Sequence, residues 1–562
     1  MNYLMKIVKK NKLLVGSYLL LGILLAFLEN FTASYFQTLI NKFNDRSLTA
    51  SVIIIYAFVL VMLCVLSYLD EYPGRKLEHS IFLDLKIEAL KKISRVDYKS
   101  YQTMGTGKLV QKIENGSSAG KSMLFDFIFE LTRKLIPSIL FSMIFIYRIN
   151  KIIMWVILIG YIFIFIVTNL LLKRLYRIKE HILLNEEEMN HFLVRGFMEM
   201  VIFRINKRFN YEIEKAKFAE KEIVGSKVKM TLIHEAFFTI FELMVISVKV
   251  AVIVYGWITK SFGIGAVVAL ISLVDNAYIP IAIFNVLYVQ YKLDKGAFKR
   301  YTDFLDLDND YQFGKGKMIP ALRGNISFYG LKFLYGNRLI FNNLNLTVNS
   351  GEKIAFVGES GSGKSTLIKL LAGLLKPGGG KILVDDYDLS RIDLNSYYDY
   401  IDYVPQESSI FDGTLRENLV FNKNVDDKEI VNVLNQVELS GLYYKLKDGL
   451  GTELGEKGIS LSGGERQRIA LGRLWFSKAN IILLDEATSA MDNITEENVM
   501  NHVMDLLKEK TVIVTAHRLN SIKNFERIVV FKNGDIIGQG KFQELLENNP
   551  YFRELYYATV NK

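Results

Sequence analysis

Long apolar runs fill the first half of the chain, and short ones bounded by glycine and charge fill the second. Six runs stand out: Leu13–Phe36, Ser51–Leu69, Phe127–Tyr147, Met154–Leu172, Ala236–Trp257 and Phe262–Asn285. Each is near the ~20 residues that a helix needs to cross a hydrocarbon core, so six membrane spans are expected. The first run is too long for the apolar region of a cleavable leader and lacks a small-residue cleavage site, so it is expected to stay. Between the runs, Leu83–Val96 alternates charge and apolar residues at helical spacing, which predicts that a span continues into the polar phase. Gly105 and Gly107 then supply a turn. A separate soluble domain in that loop is the competing reading.

Past residue 305 the pattern changes. Asp306–Met318 is polar and contains glycine, and the linker is expected over 306–325. Asn325–Phe333, Leu344–Val348 and Lys353–Val357 read as strands, the last of them buried, with a helix over Ser365–Leu375. Ile481–Leu484 and Thr511–Val514 are short, rich in β-branched residues and continuously apolar, as suits parallel strands covered on both faces. The expected fold class is therefore an α-helical transmembrane domain (1–305, six spans) followed by an α/β domain (326–562).

Composition agrees with that division. The chain has 562 residues, too many for one core, and half of them are hydrophobic. Mean hydropathy is +0.20, high for a soluble protein. The sole cysteine, Cys64, lies in an apolar run. It excludes an internal disulfide and makes a thiolate zinc site implausible. The net charge of +10 comes with no nucleic-acid-reading motif, so no nucleic-acid partner is expected. Much of the excess sits beside apolar runs: Lys6, Lys9, Lys10 and Lys12 precede the first, and Asp70–Asp126 and Lys173–Glu235 hold on the order of twenty basic residues. The other connections carry only a few, such as Lys42, Arg46, Arg148, Lys151 and Lys260. By the positive-inside rule the N-terminus, both long loops and the C-terminal domain face the cytoplasm of a cell membrane.

Three motifs carry chemistry. Gly358, Glu359, Ser360, Gly361, Ser362, Gly363, Lys364, Ser365 and Thr366 fit a phosphate loop, in which backbone N–H groups cradle phosphates, the lysine reaches the β/γ-phosphates and the hydroxyl binds Mg²⁺. Leu461-Ser462-Gly463-Gly464-Glu465-Arg466-Gln467 follows, and then Asp485-Glu486 at the end of an apolar strand. In this order and spacing the motifs resemble the nucleotide-binding domain of ABC transporters, from about Ser327 to the C-terminus. Six spans, short outer turns and two long inner loops are similar to the half-exporters of that family.

The resemblance implies the remaining roles. ATP and Mg²⁺ are the expected cofactors. Tyr335 is placed against adenine, and Ser365, Gln406 and Asp485 are associated with Mg²⁺, partly through water. Glu486 is the general base and His517 the switch histidine at the γ-phosphate. Lys364 and Gln406 complete the catalytic set, and Ser489 and Asp492 mark the D-loop. Ser462, Gly463, Gly464 and Glu465 act in trans on ATP held by a second chain. A dimer, expected to be a homodimer because no site motif is degenerate, follows. Met491 stands where leucine is commoner, and Asp386 where glycine is, a turn variation. Thr452–Gly458 resembles an exporter-type segment that touches the coupling helices. Those are expected at Asp97–Gln102, with Tyr98 and Tyr101 as aromatic knobs, and at Phe197–Ile205.

The substrate is less legible. Glu29, Asn30, Asn169, Glu242, Lys249 and Asp275 are polar groups within spans. Ionisable groups there face a cavity or each other, so Glu29, Glu242, Lys249 and Asp275 are candidates for a substrate path. Glu242 and Lys249, seven apart, share a helical face, and structural pairing is the competing reading. The expected function is ATP-driven export of an amphipathic or hydrophobic drug, lipid or small peptide. The alternatives are a membrane-anchored regulatory ATPase and an importer built on the exporter fold. No leader-trimming cysteine-protease domain is expected before the first span.

Overall fold

The computed structural model describes residues 2–104, 106–260, 263–310, 312–421, 423–455, 461–516 and 518–560. Two compact units result, Met1–Ser94 with Met104–Leu307, and Arg95–Thr103 with Asp308–Lys562.

The first unit is helical. A short amphipathic helix α1 (Asn2–Lys10) leads into α2 (Lys12–Asn44) and α3 (Ala50–Ile93). The amphipathic stretch predicted at Leu83–Val96 runs on from the second apolar segment inside α3 as far as Ile93, an uninterrupted 44-residue helix, and Val96 lies beyond its end. In the second unit lies α4 (Tyr98–Met104), and α5 (Thr106–Lys121) returns to the first. The backbone then widens into π-helical turns over Ser122–Phe129 and Leu131–Leu135 before α6 (Ile136–Ile149). After it come α7 (Lys151–Met198), α8 (Met200–Ile205), α9 (Phe209–Thr259) and α10 (Ile264–Leu305). Among the described residues α2, α3, α9 and α10 are long and apolar enough to cross a membrane. The run Phe127–Tyr147 lies on the π-helical turns and α6, Met154–Leu172 lies within α7, and Phe262 is outside the described residues.

Burial differs between these helices for a physical reason. Half of the apolar window of α10 is buried but only 11% of that of α3, whose Ile54, Phe58, Val61 and Val65 are exposed. An apolar face left bare on a helix of this length suits lipid or another membrane helix, not water. Polar groups lock the packed helices instead. Asn30, fully buried on α2, accepts bonds from Ser142 Oγ of α6 (2.6 Å) and Asn276 Nδ2 of α10 (3.2 Å). Ser138 Oγ donates back to the carbonyl of Asn276 at 3.0 Å. Removing Asn30 would leave the Asn276 amide without this acceptor, while Ser142 keeps the carbonyl of Ser138 at 2.7 Å. Lys249 of α9 and Asp275 of α10 pair at 2.6 Å, and Arg133 pairs closely with Asp70 while its guanidinium lies 3.8 Å over the Tyr18 ring. Gly22 makes room for it, since a Cβ there would stand 2.3 Å from Arg133 Nε.

The second unit is α/β. Its antiparallel sheet has the order β2-β1-β4-β5, with β1 (Ile326–Tyr335), β2 (Arg338–Val348), β4 (Gly379–Val384) and β5 (Tyr387–Asp388). The larger sheet runs β12-β11-β3-β10-β9-β6. Its strands are β3 (Lys353–Val357), β6 (Ile401–Val404), β9 (Ile481–Asp485), β10 (Thr511–Thr515), β11 (Arg527–Lys532) and β12 (Asp535–Gly540), while β7 (Gly413–Thr414) and β8 (Glu453–Leu454) form a separate antiparallel pair. All but the β11–β12 pair run parallel, so both faces are covered and β9 is buried at every position. On one face lie Phe328, Phe341, Leu367 and Leu371, the last two from α11 (Lys364–Leu371), and on the other Val499, Val503 and Phe552. A third cluster, Leu415, Leu419, Ile430 and Ile469, holds a helical layer carrying the glycine-rich motif.

Arg95–Thr103 belongs to this unit although the sequence divides near residue 305. Val96 bridges Asn309, the Asp310 amide donates to the Arg95 carbonyl at 2.8 Å, and Tyr98 packs on the core of the antiparallel sheet. The ring of Tyr98 buries apolar area there, which a polar loop reading does not anticipate.

Candidate functional site

The phosphate loop joins β3 to α11. Gly358, Gly361 and Gly363 have φ of +147°, +83° and +108°, a region costly for any residue with a Cβ. At Gly358 a Cβ would stand 2.2 Å from the carbonyl oxygen of Phe531, and at Gly363 2.8 Å from the ring of Phe341. The glycines therefore let the loop close tightly between β11 and β2, with α11 starting at its end. That arrangement aims backbone N–H groups and the helix N-terminus at one place, which suits an anion.

Lys364 is buried and folds back over the loop. Its ammonium donates to the carbonyls of Gly358 (2.8 Å) and Glu359 (2.9 Å), with Ser362 Oγ at 3.4 Å. Burial lowers its pKa, and Glu486 and Asp485 oppose that shift. Two carboxylates near a desolvated lysine keep it a usable cation for phosphate oxygens.

Two carboxylates leave the end of β9 in different surroundings. Asp485 is buried, and its Oδ1 accepts from Ser365 Oγ at 2.7 Å and Thr515 Oγ1 at 2.8 Å. Tyr403 reaches Oδ2 at 3.4 Å, and burial, then Asp485, pushes that phenol's pKa up. Glu486 sits at φ +51°, a left-handed conformation uncommon for a non-glycine residue. Its amide donates to Thr515 Oγ1 at 2.9 Å, and its Oε2 accepts from Gln406 Nε2 at 2.6 Å. Thr515 thus ties both acidic residues to β10. Sequence reading missed Thr515 and Tyr403, since a threonine ending a strand and a tyrosine before Val404 carry no motif signal of their own.

These groups fit Mg²⁺ and a polyphosphate. A hydroxyl and a carboxylate already within hydrogen-bond distance at the loop form a hard oxygen donor set, and Mg²⁺ prefers such sets while keeping several waters. Ser365, Asp485 and Gln406 are the residues that would hold it, directly or through water.

Tyr335 ends β1, partly exposed, with its ring edge-on to Phe333 at 4.9 Å. An accessible aromatic face here can take a base. Glu359 and Ser360 are exposed on the loop, the Glu359 amide reaching the Tyr551 hydroxyl at 3.4 Å, and Thr366 is half-buried. His517 lies outside the described residues, as do Glu456, Lys457 and Gly458 of the segment 452–458.

The glycine-rich motif opens the helix Gly463–Gly472 with a reciprocal cap. Ser462 Oγ accepts from the Glu465 amide at 3.3 Å, and Glu465 Oε2 accepts from the Ser462 amide at 2.7 Å. Burial raises the Glu465 pKa, but the bonds from Ser462 and the charges of Arg468 and Lys445 outweigh it, so the carboxyl titrates below its usual range. Gly464 lets the helix approach Ala490, whose carbonyl oxygen would be 3.0 Å from an added Cβ. Ser489 follows β9, and Asp492 caps the helix Asn493–Leu506 through a bond from the Thr495 amide at 3.0 Å. An open groove of about 820 Å³ is lined by Gln406, Arg466, Gln467 and Ser489.

Asp97 precedes α4 and accepts from the Ser100 amide at 3.4 Å, and the Tyr98 and Tyr101 rings lie 6.4 Å apart. In the helical unit Glu29 opens onto a pocket of about 340 Å³ with Phe36, Tyr56, Ser272 and Asn276, where Phe36 and Tyr56 stack at 5.6 Å. Lys249 and Asp275 are paired, and Glu242 is exposed on α9.

Known proteins share this arrangement. Residues 15–275 match the ABC transporter transmembrane region and residues 341–489 match the ABC transporter domain. An uncharacterized ABC transporter ATP-binding protein of Bacillus subtilis is 35% identical over 304 residues, 54% of this chain and about half (53%) of that protein's length. A putative export ATP-binding/permease protein of Rickettsia typhi is 27% identical over 549 residues, covering 93% of this chain and 92% of the other. The structure of a bacterial Atm1-family ABC exporter with ATP bound superposes with a TM-score of 0.82 at 20% identity, covering 99% of both chains. The chain belongs to the ABC transporters, with the transporter's transmembrane region and its ATP-binding domain on one polypeptide.

Proposed function

We propose that this chain is one half of an exporter that hydrolyses ATP to move an amphipathic or hydrophobic drug, lipid or small peptide across the cell membrane, and that it works as a homodimer. The observation that carries this is the joining of Gln406, Glu486, Thr515, Asp485 and Ser365 by hydrogen bonds at the end of the phosphate loop. Such a set is built for hydrolysis and not only for holding a nucleotide.

Each residue then has a task. The loop amides and Lys364 bind and orient the phosphates, and Tyr335 stacks on the adenine. Ser365, Asp485 and Gln406 hold Mg²⁺, which supplies charge neutralisation at the phosphates. Glu486, held at Oε2 by Gln406, orients the attacking water and accepts its proton. His517 contacts the γ-phosphate. Ser462, Gly463, Gly464 and Glu465 present a helix N-terminus, which suits a phosphate held on the second chain. Ser489 and Asp492 shape the segment between the two sites.

The basic inner loops favour a cytoplasmic N-terminus and ATPase domain. In the membrane unit Glu29, beside the stacked pair Phe36 and Tyr56, is the strongest contributor to a substrate route, while Lys249 and Asp275 serve chiefly as a pair across α9 and α10. Tyr98 and Tyr101 of α4 are the coupling residues, and the packing of Tyr98 on the core of the nucleotide-binding unit supports that role. Glu486→Gln tests the reading in inside-out vesicles: turnover and ATP-dependent uptake of the substrate should fall about 10²- to 10⁴-fold while ATP binding persists. Wild-type turnover in that variant removes Glu486 as the base, and hydrolysis without movement of any amphipathic compound turns the reading to a regulatory ATPase.

A further inference from the structure

Gln467 belongs to the signature helix but does not face the phosphate-binding end. Its side chain is buried, only 4% exposed, between two segments distant from it in sequence, one at Gln406 and one over Glu486–Ala490. The Oε1 accepts from the Ala490 amide at 2.8 Å, and Nε2 donates to Ser489 Oγ at 3.0 Å. The same nitrogen faces the backbone carbonyls of Gln406 at 3.4 Å and Glu486 at 3.5 Å. An amide nitrogen carries two hydrogens, so one serves Ser489 and the other is shared by two carbonyls at the long end of the hydrogen-bond range. One buried amide thus holds the strand end before the signature's neighbours, the D-loop and the backbone on both sides of the Gln406–Glu486 bond.

Burial alone requires the amide to be satisfied, so it is the identity of its partners that carries the inference. Here the partners lie 61, 19 and 22 residues away and include the residue that holds the hydrolytic carboxylate as well as that residue itself. The helix carrying Gln467 starts at Ser462, the end proposed above to close on the second chain's ATP. A shift of that helix on closure is therefore delivered to the backbone of Gln406 and Glu486 at this chain's own ATP.

We propose that Gln467 is a positioning residue that links the signature's engagement of one ATP to the placement of Glu486 at the other, so that the two sites of the dimer hydrolyse cooperatively. The inference rests on the two-site reading of the preceding section. It adds a route by which each site senses the other.

Two variants of the full-length protein in nanodiscs test it. Gln467→Met keeps length and apolar stem but removes every bond, and Gln467→Glu keeps the acceptor for Ala490 while setting an oxygen against two carbonyls. Both should lower kcat about tenfold, the scale of losing one or two net hydrogen bonds. Affinity for a fluorescent ATP analogue should stay within about twofold, because neither variant touches the phosphate loop. The Hill coefficient for ATP should fall toward one. A variant that folds, hydrolyses and cooperates as the wild type does overturns the inference alone, as does a loss of kcat with unchanged cooperativity. A wild type without ATPase activity overturns the two-site reading and the inference together. Should Gln467→Met fold poorly, Ser489→Ala removes the 3.0 Å partner at an exposed position. It should lower the Hill coefficient in the same direction, and an unchanged coefficient overturns the link.

Discussion

Thr515 shows how much one hydroxyl decides at the site. It donates to Asp485 Oδ1 and accepts from the Glu486 amide, at 2.8 and 2.9 Å, in a position that is 1% exposed. Thr515→Val preserves shape and β-propensity but leaves a buried carboxylate oxygen and a buried N–H each one partner short. The expected cost is about 1–3 kcal/mol in stability, with a fall in kcat because both acids lose their anchor. Thermal unfolding and steady-state ATPase on the same preparation check this, and changes below a few tenths of a kcal/mol would show that the hydroxyl does not hold the pair. At this scale the sequence was readable where a motif fixes residue type and spacing: Lys364, Ser365 and the glycines of the loop fall together in space as they do in sequence. It was silent where a side chain works through distant partners. Nothing local distinguishes Thr515 or Tyr403 from an ordinary strand residue, and the motif that contains Gln467 does not announce its partners, since their meaning lies in what β9, β6 and the D-loop bring beside them.

Among elements, the helices that cross the membrane were legible and their locks were not. Apolar runs near twenty residues long announce α2, α3, α9 and α10 by transfer free energy alone. The extension of α3 to 44 residues was visible in the amphipathic pattern after it. Pairings between helices depend on relative rotation, so Asp70 with Arg133 and Asn30 with Ser142 could not be read from one dimension. Lys249 and Asp275 were both singled out by their charge, and their 2.6 Å contact supports the pairing reading for the lysine. Lys249→Met should destabilise the protein in detergent by about 1 kcal/mol, typical of polar contacts between membrane helices. The exchange Lys249→Asp with Asp275→Lys should recover most of that and restore transport. Recovered stability with lost transport would move the pair back into the substrate path. The π-helical turns over 122–135 had no sequence signature, because the run reads as an ordinary amphipathic-to-apolar transition. Likewise the assignment of Arg95–Thr103 to the nucleotide-binding unit follows from backbone bonds to Asp308 and Asp310 that no hydropathy profile contains.

For the whole molecule, the central claim is that one chain cannot finish an ATP site. Each polypeptide has one phosphate loop, with Lys364, and one capped signature, with Ser462. In the proposed dimer the loop of one chain meets the signature of the other, so lesions placed in different chains fall in the same site. The direct test co-assembles a Lys364→Ala chain and a Ser462→Ala chain, differently tagged, and measures ATPase activity of the purified mixed dimer beside both parent homodimers. One site should then carry both lesions and the other none, and hydrolysis should rise clearly above either parent. A mixed dimer no more active than its parents, or a wild-type chain that hydrolyses ATP at full rate as a monomer, would contradict the account.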